Sequence, residues 1–386
     1  MPRKSRLWLL AVVMCTVGFI PTICSTQTNI SKEIVNQGRI DYNGALSMLY
    51  VNGTTITNSG GPIFLLGCNV RGIAYNPAVD GRYDDWYTYR YQDARNIRAF
   101  EFNTIRLVVY WECLEISTGP DKFSFNNTYI DLIRQTVEAY NKEGIYVILN
   151  LHEHGSADVL SRFIPTLGND TDFADTFYSD TSNTSAREHI KSLWLKMSET
   201  FKNCTGVAGY DILNEPHHSS GSLSDQQVSD LWFDISDYVI SALRAEGDNH
   251  IVFIEFCPAA RRTDYMSRKL SDSNVVYESH FYYGVNTSDL SVLNNDYYWL
   301  KEQFDAKVNA KMLDFGVPFI MGEQGFGGNQ LTNDQSMWLE NVIAISESNP
   351  LMQGWLYWCY IAYNGVPQGG GWQDILLRRH ANISPL

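Results

Sequence analysis

Two carboxylic acids stand at the ends of apolar runs in this chain. Glu215 lies in Asn214-Glu215-Pro216, directly after Val207-Ala-Gly-Tyr-Asp-Ile-Leu213, and Glu323 lies in Pro318-Phe-Ile-Met-Gly-Glu-Gln-Gly325. Each carboxyl is presented where a buried strand opens into a loop. The Asn214 amide beside Glu215 can also hydrogen-bond a ligand hydroxyl. The two positions are 108 apart (323 − 215), which suits a pair converging on one site from different strands of a barrel. Paired carboxyls are the machinery of glycoside hydrolysis.

Such a pair needs a scaffold of alternating elements. Strand-like runs are predicted over Ile63–Arg71, Thr104–Trp111, Ile145–His152, Gly209–Asn214, His250–Phe256, Val275–Tyr282, Pro318–Glu323 and Gly354–Tyr360. Helix-like stretches separate them. Asn127–Lys142 places Ile130, Ile133, Val137 and Tyr140 on one face, with Gly144 as a stop signal. Ser185-x-x-Glu188 and Ser224-x-x-Gln227 both match the capping box that opens a helix. Asp296–Phe315 and Thr332–Ser348 are similar amphipathic segments. Eight short, nearly continuous apolar strands alternating with helices are what a closed parallel (β/α)₈ barrel requires. The alternative for the same pattern is an open doubly wound sheet.

Before the barrel, residues 40–62 read as a β-hairpin, with turn signals at Asn43-Gly44 and Asn52-Gly53. The expected division is a leader over 1–25, an N-terminal extension and hairpin over 26–62, and the catalytic barrel over 63–386.

In a parallel barrel, chemistry sits at the carboxyl ends of the strands. Reading those ends gives Arg106, His152, Asn214, Glu215, His280, Tyr282, Glu323 and Trp358. Taken singly, each has an ordinary explanation: an arginine paired with an acid, a core imidazole, a packed indole. Gathered at one end of a barrel, they point to one site.

Composition narrows the ligand. Hydrophobic content of 44% and charged content of 19% are those of a globular protein with a sizeable core. A formal charge of −14 offers no basic patch for nucleic acid, anionic lipid or a polyanion, so a neutral ligand fits best. Aromatic residues make up 13% of the chain, including ten Trp, and sugar rings stack their C–H faces on aromatic planes. Trp86, Trp111, Trp299 and Trp372 fall in or near predicted post-strand loops, where they could serve as sugar platforms.

Arg3, Lys4 and Arg6, followed by the uncharged run Leu7–Cys24 and the polar Ser25-Thr-Gln-Thr28, form the pattern of a secretory signal. An uncleaved membrane anchor is the other use of such a segment. Eight Asn-x-Ser/Thr sequons, at Asn29, Asn52, Asn126, Asn169, Asn183, Asn203, Asn286 and Asn382, suit an exported glycoprotein. Beyond the leader, Cys68, Cys113, Cys204, Cys257 and Cys359 make neither a disulfide framework nor a CxxC metal site. The chain is expected to be extracellular and monomeric.

With these motifs in place, the chain resembles glycoside hydrolase family 5, the large cellulase family of retaining β-glycosidases, over roughly residues 60–365. The resemblance rests on Gly67-Cys-Asn69, Asn103-Thr-Ile-Arg106, Leu149-Asn-Leu-His152, Ile212-Leu-Asn-Glu-Pro216, His280-Phe-Tyr282, Gly322-Glu323 and Trp355-Leu-Tyr-Trp358. It implies Glu215 as acid/base and Glu323 as nucleophile. It also implies Asn214 on the sugar 2-hydroxyl, His280 and Tyr282 flanking the carboxyls, and Arg106 beneath the nucleophile. Trp358 would be the floor of the sugar subsite beside the scissile bond, and His152 a further substrate-binding residue. No metal or organic cofactor is required.

One departure stands out. His152-Glu-His154-Gly is an unusual ending for the third strand, and two histidines pointing the same way suggest a metal site. No third ligand follows at a recognisable spacing. The long polar segment from Gly155 to Thr184 is expected to be a loop shaping the cleft.

The reading is thus an endo-β-1,4-glucanase acting on cellulose or mixed-linkage β-glucan by double displacement. A β-mannanase, exo-β-1,3-glucanase or endoglycosylceramidase would use the same catalytic set. A carbohydrate-binding protein on an inactive barrel would have lost an essential carboxyl, yet Glu215 and Glu323 are both present.

Overall fold

The structure, a computed structural model, describes residues 46–71, 86–116, 123–152, 173–217, 221–258, 260, 262–282, 295–306, 310–325, 333–360, 362–363 and 366–367. Its first element is a small antiparallel sheet of β1 (Tyr50–Asn52), β2 (Thr55–Asn58) and β3 (Gly61–Pro62). The expected hairpin is therefore three-stranded, with β3 added along the β2 edge. Gly53 turns β1 into β2 at φ 64°, a conformation glycine adopts without a Cβ clash. Asn43-Gly44 lies outside the described residues.

Eight parallel strands follow: β4 (Leu65–Val70), β5 (Thr104–Val109), β6 (Tyr146–Leu151), β7 (Val207–Asp211), β8 (Ile251–Glu255), β9 (Val275–Tyr282), β10 (Phe319–Gly325) and β11 (Met352–Tyr360). They close in the order β10-β11-β4-β5-β6-β7-β8-β9, with β9 paired to β10. This is the (β/α)₈ barrel, not the open sheet.

Alternation along a strand sends residues in turn to the barrel interior and to the layer under the helices. In β8, Val252 and Ile254 join the outer core, while Ile251 and Phe253 fill the interior and Glu255 continues their row. In β5, Ile105, Leu107 and Val109 face the outer layer, leaving Arg106 on the inward row. Both faces are buried, which explains why the runs read as almost continuously apolar.

The helices carry the expected signals with two differences. Asn127–Lys142 buries Ile130, Ile133, Val137 and Tyr140, and the Asn126 side chain caps it by accepting from the Tyr129 N–H. Ser224 and Gln227 form the full capping box of helix 225–245. Ser185 occupies the cap position of helix 186–201, but its hydroxyl makes no cap bond; Glu188 instead binds Lys191 and Tyr238. Residues 297–304 and 310–315 are helical within the one segment expected, with 307–309 outside the described residues, and Phe173–Ser179 is helical inside the segment read as loop.

The amino-terminal sheet closes the lower end of the barrel. Leu46, Leu49, Ile56 and Ile63 pack with Leu65, Ile148, Phe253, Val276, Ile320 and Leu356 in one apolar cluster. The Tyr146 hydroxyl donates to the Ser47 carbonyl at 2.8 Å, and Gln353 Oε1 accepts from the Ile56 N–H at 3.1 Å. Among the described residues, the five cysteines are free thiols and no helix is long and apolar enough to cross a membrane.

Candidate active site

Arg106 is the hub. It stands third in β5 rather than at the strand end where the sequence reading set it, so its side chain fills the barrel interior and is fully buried. Nε donates to Asp211 Oδ2 at 2.8 Å, and Nη1 donates to Asn69 Oδ1 at 2.9 Å and Glu323 Oε1 at 2.7 Å. Nη2 donates to Asn214 Oδ1 at 2.8 Å and Glu255 Oε1 at 2.5 Å. Glu278 Oε1 lies 3.1 Å from Nε. Burial by itself would lower the guanidinium pKa, but Asp211, Glu278, Glu255 and Glu323 hold it well above its ordinary value.

Glu323 and His280 are register partners on β10 and β9. The Glu323 side chain is 5% exposed, with Arg106 at Oε1 and the Tyr282 hydroxyl donating to Oε2. Gly322 is required just before it. A Cβ there would sit 1.5 Å from Glu278 Oε1, so any side chain would displace that carboxylate.

Glu215 follows β7 on a loop and adopts φ 41°, in the left-handed region. For a residue other than glycine that conformation costs on the order of 1–3 kcal/mol and persists only where its surroundings enforce it. Its N–H donates to Glu255 Oε2 at 2.6 Å, and its Oε1 lies 2.8 Å from His280 Nδ1. That same Nδ1 is 3.6 Å from Glu323 Oε2. Burial would lower the His280 pKa, but Glu255, Glu323 and the hydrogen bond to Glu215 raise it well above the ordinary imidazole value.

His152 and Trp358 form the other wall. Their rings stack with centroids 5.1 Å apart and planes 12° from parallel. His152 Nδ1 lies 2.9 Å from Asn150 Oδ1, and Asn150 Nδ2 donates to Asp211 Oδ2 at 2.7 Å. A chain of polar contacts thus runs from His152 back to Arg106. All eight residues picked from the sequence fall into one connected cluster.

The sequence reading missed the roles of Asp211, Glu255 and Glu278, and it quoted Asn69 and Asn150 only as parts of motifs. Their signal was available. A charged residue inside a strand buried on both faces needs a partner, and Asp211, Glu255 and Glu278 each interrupt an otherwise apolar run. Among the suggested sugar platforms, Trp111 is wholly buried and donates to Glu115 at 2.7 Å, and Trp299 packs half-buried against the core. Both are packing residues. The side chains of Trp86 and Trp372 lie outside the described residues, as do Glu153 and His154.

Glu215, His280 and Glu323 bring three ligand-type atoms within 4.8 Å of one another, as do Glu255, Glu278 and His280. Glu323 already accepts from Arg106 and Tyr282, and Glu255 from Arg106 and the Glu215 N–H. In both groups the positive charge comes from the chain itself.

Fold and site together define a (β/α)₈-barrel protein with paired carboxyls at the mouth formed by its strand ends. Residues 59–364 match the family model for cellulase (glycosyl hydrolase family 5), and the chain belongs to that family. It is 22% identical over 320 residues to endoglucanase A of Clostridium longisporum, covering 75% of this chain and 57% of that protein. It is 22% identical over 401 residues to endoglucanase B of Acetivibrio thermocellus, covering 95% and 66%. The chain therefore spans less than two thirds of either relative. A crystal structure of an endogalactoceramidase shares the fold, with a TM-score of 0.64, 21% identity, and coverage of 83% of this chain and 76% of that one. An endocellulase from Pyrococcus horikoshii in complex with cellotetraose does so at a TM-score of 0.64 and 16% identity, covering 88% and 99%.

Proposed function

We propose that this chain is a secreted, retaining β-glycoside hydrolase that cleaves β-1,4-glucan internally. The carrying observation is the spacing of the two carboxyls: an oxygen of Glu215 and one of Glu323 lie within 4.8 Å. Retaining enzymes hold their carboxyls about 5–5.5 Å apart, whereas inverting enzymes leave ~6.5–9.5 Å for a water. Family membership and the relatives named endoglucanases support the choice of β-1,4-glucan.

In this reading Glu323 attacks the anomeric carbon while Glu215 protonates the departing oxygen. Arg106 and Tyr282 donate to the two Glu323 oxygens and fix the orientation of the nucleophile. Esterification removes the Glu323 charge. Glu215 then takes a proton from water, which attacks the glycosyl ester and returns the sugar with its starting configuration. Asn214, held by Arg106, would meet the sugar 2-hydroxyl, and the stacked His152 and Trp358 would line the subsite floor. Export is supported by the basic start and apolar run up to Cys24, and by exposed sequons at Asn52, Asn183 and Asn203.

The test is Glu323→Ala, assayed on β-glucan with and without azide. Turnover should vanish while the fold persists, and azide should restore glycosyl azide of inverted configuration. Wild-type turnover in this variant would remove Glu323 from the mechanism. A parallel panel of mixed-linkage β-glucan, mannan, laminarin and glycosphingolipid decides the substrate, and falling β-glucan viscosity with products of several lengths is expected. The likeness to an endogalactoceramidase gives the glycosphingolipid arm its place. Cleavage there alone would replace the glucanase reading.

A further inference from the structure

Glu255 has no part in the chemistry just described, yet it touches both halves of it. It is the last residue of β8 and is fully buried. Its two oxygens accept from opposite sides: Oε1 from Arg106 Nη2 at 2.5 Å, and Oε2 from the backbone N–H of Glu215 at 2.6 Å. Arg106 in turn donates to Glu323 Oε1 at 2.7 Å. One carboxylate thus joins the main chain of one catalytic candidate to the guanidinium that holds the other.

We propose that Glu255 is a positioning residue for proton transfer, which anchors the Glu215 backbone in its left-handed conformation and so aims the Glu215 carboxyl at the departing oxygen. The inference rests on the roles assigned above to Glu215 and Glu323.

The geometry requires an anchor at this point. Glu215 lies at φ 41° on a loop beyond β7, between Asn214 and a proline that has no N–H to donate. A side chain on a neighbouring barrel strand supplies it from a rigid element. Arg106 Nη2 also holds Asn214 Oδ1 at 2.8 Å, so the Asn214 side chain and the Glu215 backbone are tied to the same guanidinium nitrogen, the latter through Glu255.

The chemistry of the anchor is specific as well. A carboxylate offers acceptors on both sides, while glutamine offers one acceptor and one NH₂ donor. In Glu255→Gln, either the Glu215 N–H or the Arg106 N–H must face a donor in a buried space, whichever way the amide turns. A small misplacement of a catalytic group is enough to slow the reaction about 10²-fold.

Glu255→Gln separates positioning from general damage through leaving-group dependence. Aryl β-glycosides of the sugar identified by the polysaccharide panel serve as substrates. One carries a dinitrophenyl group, which departs without protonation; the other carries an unsubstituted phenyl group, which needs the acid. The variant should lose about 10²-fold in kcat/KM on the phenyl substrate and only a few-fold in kcat/KM on the dinitrophenyl one. The ratio kcat/KM reports the glycosylation step, whereas the deglycosylation step shared by both also needs Glu215 as base. Equal losses on both substrates, or no loss, would overturn the proposal. Thermal unfolding confirms that the variant folds. If it does not, Glu255→Asp keeps the charge but withdraws the acceptor from Glu215, and must show the same contrast. Glu215→Gln and Glu323→Ala are run alongside. Turnover by Glu323→Ala would defeat the underlying assignment, whereas a leaving-group contrast in Glu215→Gln but not in Glu255→Gln would defeat this inference alone.

Discussion

The two ends of the barrel interior are built on the same strands with the same alternation, and opposite chemistry fills them. On β8 the inward row runs Ile251, Phe253, Glu255; on β9 it runs Val276, Glu278, His280; on β6, Tyr146, Ile148, Asn150. The lower half is apolar and capped by Leu46, Leu49, Ile56 and Ile63 from the amino-terminal segment. The upper half gathers Asp211, Glu255, Glu278 and Glu323 around Arg106. Each fully buried aliphatic side chain below contributes about 1.5–3 kcal/mol. A buried ion-pair cluster is near neutral against an apolar packing of similar volume, but costly once one partner is lost. The lower half therefore supplies stability. The upper half converts part of it into a preorganised charged layer.

Arg106→Met attacks that contrast most severely. It leaves four buried carboxylates without their guanidinium, and should lower stability by about 3–5 kcal/mol as well as abolish turnover. A denaturant midpoint like that of the wild type would mean that the acids are held by something other than Arg106.

Ile56→Ala tests the other end. Ile56 is 0% exposed within the lower cluster, and truncation should cost about 2–5 kcal/mol. Its kcat should stay at the wild-type value wherever the protein is folded. Reduced kcat at full folding would show that the plug also shapes the mouth.

A smaller effect separates the halves by pH. Burial, then the Glu278 charge, raises the Asp211 pKa to about 7, against the pull of Arg106. Its Oδ1 has no hydrogen-bond partner among the described residues and is free to carry the proton. The folded pKa is above the unfolded one of about 3.9, so the native state binds more protons between the two. This contribution to stability is complete below the unfolded pKa and is lost as pH rises through about 7. Asp211→Asn should flatten the fall in stability over that interval, while the cost of Ile56→Ala should not vary with pH. An undiminished slope in Asp211→Asn would place the proton elsewhere.

Much of this was legible in the residues. Eight apolar runs separated by amphipathic segments specify a parallel barrel because a strand buried on both faces has to be apolar throughout. Glu215, Glu323 and their polar companions were legible because a barrel presents its chemistry at strand ends. The third strand of the small sheet was less so, since Gly61-Pro62 carries no β-propensity and pairs only because β2 offers an edge.

What the chain order alone determined was which residues lie on which strand and toward which end. What only the tertiary structure decided was who meets whom inside. Arg106 reaches Asp211, Glu255 and Glu323 across separations of 105, 149 and 217 positions. No local pattern encodes those distances, because register and closure of the barrel set them. The same closure brings Glu255 beneath the Glu215 backbone. A lone acid in an apolar run announces that it needs a partner, and only the folded barrel supplies one.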